Sequence, residues 1–148
     1  MGSILESVKT GRLIYPALLI TPNAVYALHY HLVLVTKYRR KVFTPAMLER
    51  GCNIARDICE KFGCEMIEAN GEADHLHLLI DMIPAVHPLR LVNSLKTVTS
   101  RRLRKEYPAR MARFYHKPVL WSPSYCLITC GGAPLEIIRQ YVENQQGA

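Results

Sequence analysis

The 148-residue sequence predicts an α+β domain: a four-stranded antiparallel sheet with helices on one face and one further helix at the C-terminal end. Three observations lead there. Short runs rich in Val, Leu, Tyr and Thr read as strands. Thr-Pro and Gly or Pro punctuation brackets two longer helical segments. The elements then fall in the order strand, helix, strand, strand, helix, strand, helix. The first six form the β-α-β-β-α-β split unit of ferredoxin-like and RRM-like sheets, whose second face is free for a ligand or partner.

Each element has a local reason. Ala27 to Lys37 alternates as a strand. Thr44-Pro45 starts a helix, with Thr as N-cap and Pro at the first helical position, and Gly63 stops it after Phe62. Cys64 to Ala69 reads as the second strand, Asn70-Gly71 as a hairpin turn signal, and Asp74 to Met82 as the third strand, ending before Pro84. A helix runs from Pro88 to Tyr107, with Leu91, Leu95 and Val98 toward the core and Pro108 beyond its end. A looser segment leads to a fourth strand over Val119–Thr129. Gly131-Gly132 precedes a last helix, Pro134 to Gln146. Residues 1–22 form an arm or extension, with an apolar stretch from Leu13 to Ile20 broken by Pro16; residues 23–148 form a single domain.

Composition narrows the class. With 49% hydrophobic and 21% charged residues, the chain is an ordinary globular protein. No apolar stretch approaches the roughly 18 residues of a membrane span, so no membrane partner is expected. Five cysteines without a C-x-x-C pair fit core thiols in a reducing cytoplasm. The charge is concentrated. From Arg90 to Lys117 there are nine Lys or Arg against one acid, Glu106, a local net charge of +8 in a chain of +7. A smaller cluster comprises Lys37, Arg39, Arg40 and Lys41. Such one-sided charge is the footprint of a polyanion, and nucleic acid is the expected partner. Lys37, Arg39, Arg40, Lys96, Arg101 and Arg102 are the candidate DNA contacts, Lys96 and Arg101 foremost.

Chemistry enters with Asp74-His75-Leu76-His77-Leu78-Leu79-Ile80. On a strand, His75 and His77 project from one face while Leu76 and Leu78 take the other. Two adjacent neutral imidazoles are half of a metal site. On the last helix Tyr141 and Gln145 lie four residues apart and share a face. A tyrosine can attack a phosphodiester when its phenol, with a free pKa near 10, is polarised or deprotonated. The Gln145 amide oxygen could complete the metal shell. On spacing alone the pair reads better as a tyrosine at a packing boundary and a solvated glutamine, since polar pairs four residues apart are common.

The sequence resembles the single-tyrosine transposases of the HUH endonuclease superfamily, which mobilise small insertion sequences as single-stranded DNA. The likeness runs from about Tyr30 to Gln145. It is carried by Tyr30 to Phe43, by Asp74 to Ile80, by Leu95-Lys96, by Leu120 to Tyr125, and by Ile138 to Gln145. The resemblance implies a metal bound by His75, His77 and Gln145, with Tyr141 as nucleophile. It also implies a homodimer that acts on DNA hairpins at element ends and cleaves single strands through a 5′-phosphotyrosine link. Two imidazoles and an amide suit manganese better than magnesium, while abundance favours magnesium, so the expected cofactor is Mg²⁺ or Mn²⁺.

Two departures stand out. The first strand carries a second H-x-H, His29-Tyr30-His31, where the resemblance leads to one histidine. His31 is read as sheet packing near the site and His29 as incidental. Residues 1–22 fall outside the likeness. Tyr125 is the rival nucleophile, better read as a packing or base-stacking residue beside Trp121, and Tyr38 suits nucleic-acid contact. Two other functions compete: a non-catalytic single-stranded nucleic-acid-binding module on the same fold, and a related HUH nickase of replication or of repeated chromosomal hairpins.

Overall fold

The computed structural model describes Leu19–Ile20, Val25–Tyr26, residues 29–129 and residues 142–144. Strands β1 (Leu19–Ile20) and β2 (Val25–Tyr26) pair antiparallel as a small separate ribbon. The main sheet takes β3 (His29–Thr36), β4 (Glu65–Glu72), β5 (His75–Asp81) and β6 (Trp121–Thr129) in the order β4-β5-β3-β6, every pair antiparallel. Helices α1 (Pro45–Lys61) and α2 (Pro88–Glu106) are the two crossovers of the split unit. The expected α+β architecture is therefore the observed one.

Strand alternation sorts the sheet into two faces. Leu32 and Leu34 of β3 and Leu76, Leu78 and Ile80 of β5 are fully buried against the helices. From α1 come Met47, Ile54 and Ile58, and from α2 Leu91, Leu95 and Leu103. The residues between them face the other way. Val33 and Val35 form a second, smaller cluster with Val142, and in register His77 lies opposite Val33 and His75 opposite Val35. The histidines thus occupy the face without α1 and α2.

Helix punctuation follows the sequence closely. The Thr44 hydroxyl accepts a hydrogen bond from the Met47 amide at 3.2 Å, Pro45 opens α1, and Gly63 leaves it at φ 77°, a left-handed value that costs glycine nothing. Pro108 does more than end the preceding helix. It opens a short helix of its own, α3 (Pro108–Ala112), because proline is favoured at a first helical position. Thr99, buried in α2, hydrogen-bonds the Leu95 carbonyl at 2.5 Å and accepts the Trp121 indole N–H at 2.9 Å, stitching α2 to β6.

The turn expected at Asn70-Gly71 lies three residues later, at Ala73-Asp74, and both Asn70 and Gly71 sit inside β4 opposite His77 and Leu76. Gly71 is needed for close approach rather than for turning, since a Cβ there would collide with the His75 carbonyl oxygen. Pro123 is accommodated because β6 is an edge strand, where a missing amide costs no ladder bond. Cys59 and Cys64 are buried thiols and Cys52 and Cys126 half-buried ones, all unbridged; burial above all pushes Cys59 up to about 12. No helix among the described residues is long and apolar enough to cross a membrane.

Candidate metal site on the open sheet face

His75 is held by its neighbour. Its Nδ1 lies 2.9 Å from Asp74 Oδ1, and the other carboxylate oxygen, Oδ2, accepts the Arg39 Nε–H at 2.8 Å. Asp74 is itself pinned through its backbone carbonyl, which accepts from the Thr36 amide at 3.0 Å. Burial pushes the Asp74 carboxyl up, but hydrogen bonds from His75 and Arg39 and their charges outweigh it and hold the group below the usual carboxylate range. A carboxylate on Nδ1 fixes ring orientation and leaves Nε2 as the donor atom, the arrangement that supports metal-binding histidines elsewhere.

His77 has a different neighbour. Its Nε2 stands 2.9 Å from His31 Nδ1, with the two rings 5.1 Å apart and tilted by 31°. Burial first, then His31 and His75, lowers the His77 pKa; burial lowers that of His31 while Glu68 opposes it. Both rings therefore favour the neutral form that ligates metals. The donor chemistry of the face fits a divalent ion: imidazoles from His75 and His77, with His31 alongside. One tight group of three donor atoms, from Glu72, Asp74 and His75, also occurs among the described residues. There the Arg39 guanidinium already occupies Asp74, which favours a supporting role for that carboxylate over a ligand's.

His29 belongs to the same face but to the far end of the strands. It lies opposite Asp81, 3.8 Å from its carboxylate, and the pair is buried with both ring nitrogens and Asp81 Oδ1 lacking hydrogen-bond partners. Burial first, then His31, lowers His29, and burial, then Glu65, raises Asp81 to about 6.

Tyr141 and Gln145 lie outside the described residues. The segment between them, residues 142–144, is helical and reaches this same face: Val142 is buried against Val33 and Val35, and the Glu143 carbonyl accepts from Arg39 Nη1 at 3.3 Å.

The candidate DNA contacts separate into engaged and free groups. Arg39 is spent on Asp74 and Glu143. Lys96 donates to the carbonyls of Ser122 and Pro123 at 2.9 and 3.0 Å and lies over the Tyr125 ring, with burial lowering its pKa. Arg40 reaches the Phe114 carbonyl and stacks over Tyr38 and Tyr115. Lys37, over the Tyr38 ring, lines a cleft of about 220 Å³ with Tyr38, Arg40, Tyr115, His116 and Lys117. Arg101 is exposed, and among the described residues Arg102 makes a long 3.9 Å contact with Glu106. Sequence reasoning missed the part played by Asp74, although a carboxylate directly before the first histidine was a usable signal. It also missed the distinct use of Arg39 among four neighbouring basic residues, for which the sequence holds no signal.

Comparison with known proteins now bears on this geometry. Residues 24–145 match the family described as "Transposase IS200 like". The chain is 34% identical over 121 residues to the ISDra2 transposase TnpA of Deinococcus radiodurans, covering 82% of this chain and 86% of that one. It is 27% identical over 116 residues to the transposase for insertion sequence element IS200 of Salmonella typhimurium, covering 78% and 75% of the two chains. A crystal structure from Deinococcus radiodurans R1, described as that of a candidate transposase, superposes with a TM-score of 0.77 at 33% identity, covering 86% of this chain and 98% of that one. The resemblance carried by the histidine strand and the C-terminal segment is thereby upheld, and the chain belongs to the IS200-like transposase family.

Proposed function

We propose that this transposase is a metal-dependent endonuclease and strand transferase for single-stranded DNA, working through a 5′-phosphotyrosine on Tyr141 at hairpin-marked element ends. The observation that carries the reading is the meeting of two features on one sheet face. His75, oriented by Asp74, stands there with His77, and the helical residues 142–144 pack against the same face through Val142. Tyr141 immediately precedes that segment and Gln145 immediately follows it.

In this reading His75, His77 and Gln145 would hold Mg²⁺ or Mn²⁺, which when bound would supply Lewis-acid polarisation of the scissile phosphate. The Tyr141 oxygen attacks phosphorus and gives up its proton. The bond from phosphorus to the 3′ oxygen breaks, and that oxygen takes up a proton as a free hydroxyl. The 5′-phosphate stays on the tyrosine. A second 3′-hydroxyl then displaces the phenol, which takes up a proton, and strands are rejoined without a nucleotide cofactor because each phosphoester bond broken is replaced by another. Lys37, Arg40, Arg101 and Arg102 hold phosphates, and two copies of the chain act together as a homodimer.

Incubation with single-stranded element-end DNA and Mn²⁺ or Mg²⁺, followed by denaturing electrophoresis, tests this. A covalent protein–DNA adduct is expected, lost in Tyr141→Phe and in His75→Ala. Tight DNA binding with no adduct in the wild type would instead leave a non-catalytic binding module. An adduct that survives Tyr141→Phe would move the nucleophile elsewhere, and Tyr125→Phe would be tested next.

A further inference from the structure

We infer that Arg39 is a positioning residue: a two-ended clasp that ties the segment bearing the nucleophile to the carboxylate orienting His75. What that segment carries rests on the preceding proposal; the contacts do not. Arg39 sits in a basic run, Lys37-Tyr38-Arg39-Arg40-Lys41, that reads as a phosphate-binding patch. The geometry sets it apart from its neighbours. Its Nε donates to Asp74 Oδ2 at 2.8 Å, and Asp74 Oδ1 meets His75 Nδ1 at 2.9 Å. Its Nη1 donates to the Glu143 carbonyl at 3.3 Å, two residues past Tyr141. One planar guanidinium thus reaches both sides of the candidate site, a geometry lysine cannot reproduce.

The backbone is bent to make this possible. Tyr38 and Arg39 both adopt positive φ, 61° and 52°, values that ordinary side chains rarely take. Strain of this kind persists where surrounding contacts over-determine the conformation, and it clusters at functional sites. Here the turn is clamped on several sides. The Tyr115 hydroxyl donates to the Lys37 carbonyl at 2.7 Å, the Lys37 amide donates to Leu120 at 2.8 Å, and Arg40 holds the Phe114 carbonyl. The outcome of the twist is a guanidinium aimed at Asp74 and Glu143, while Tyr38 is left half exposed.

Amide hydrogen exchange on the full-length, metal-free protein reads the clasp directly, because no metal then links helix and sheet. Arg39→Gln and Arg39→Lys are each expected to speed exchange across residues 142–144 at least fivefold, with β3 and β5 amides unchanged. Asp74→Asn is expected to do the same. Mn²⁺ titration then reads the other end: Arg39→Gln weakens Mn²⁺ binding several-fold, Asp74→Asn by 10- to 100-fold on the order seen for such supporting carboxylates, and Arg104→Gln by neither measure. For single-stranded DNA, Arg39→Lys should lower the single-turnover adduct rate at least tenfold while affinity and its salt slope stay unchanged. Unaltered exchange over residues 142–144 in both Arg39 variants overturns the clasp. So does a loss confined to DNA affinity with a salt slope smaller by about 0.7, which marks a lost phosphate contact on a single strand. If the wild type forms no adduct, the proposed function fails, and the exchange and titration results still decide the clasp.

Discussion

Asp81 shows how much a single buried group can cost. Its pKa, raised to about 6 by burial and then by Glu65, lies above the roughly 3.9 of an exposed aspartate. The folded chain therefore holds this proton more tightly than the unfolded one. The contribution of Asp81 to stability is full below pH 4, falls as pH climbs toward 6, and is at its worst from there upward. Asp81→Asn is expected to stabilise the fold at pH 7.5 by on the order of 1–3 kcal/mol, raising the melting temperature there, and to change little at pH 4; calorimetry at both values checks it. Thr99 works in the opposite sense. Thr99→Val deprives the buried Trp121 indole of its acceptor and should cost about 1–3 kcal/mol in urea unfolding. The sequence made His75 and His77 legible because strand alternation is a strict rule. It left His31 undervalued, because which histidine of β3 meets His77 depends on a diagonal contact between strands that no local pattern encodes.

At the scale of elements, the helices were the most legible. Thr44, Pro45 and Gly63 act locally, so their effect is visible in sequence. The hairpin was misplaced because Asn70-Gly71 is a strong turn signal, and the requirement that overrides it is the close approach of the His75 carbonyl to Gly71, a contact made across strands. Lys96 stands out in sequence as a basic residue. Its structural use, joining α2 to the first part of β6 through the carbonyls of Ser122 and Pro123, is a contact between elements that charge does not reveal. Lys96→Ala is expected to destabilise the fold by about 1–3 kcal/mol, as expected for losing charged hydrogen bonds. Arg101→Ala, on an exposed position of the same helix, should leave the melting temperature unchanged and reduce the salt slope of single-stranded DNA binding by about 0.7. Fluorescence anisotropy across a salt series, beside thermal melts, separates the two.

The whole molecule divides its labour by sheet face. α1 and α2 cover one side and build the core, while the other carries His31, His75, His77 and the patch on which Val142 rests. This division was readable in the sequence, since the split unit predicts one uncovered face and the histidines alternate with core leucines. That residues 142–144 rest on that face was not readable, since the split unit leaves it free for a ligand or partner.

On the proposed function, the same division sets how long a substrate would have to be. Arg101 and Lys105 project from a helix on the far side of the sheet from the imidazoles, so a strand engaging both has to travel around a margin of the sheet. Oligonucleotides of a few bases should reach the imidazoles or the arginines, never the two at once. Lengthening the DNA past that detour should give an abrupt gain in affinity rather than a gradual one, and the gain should vanish in high salt.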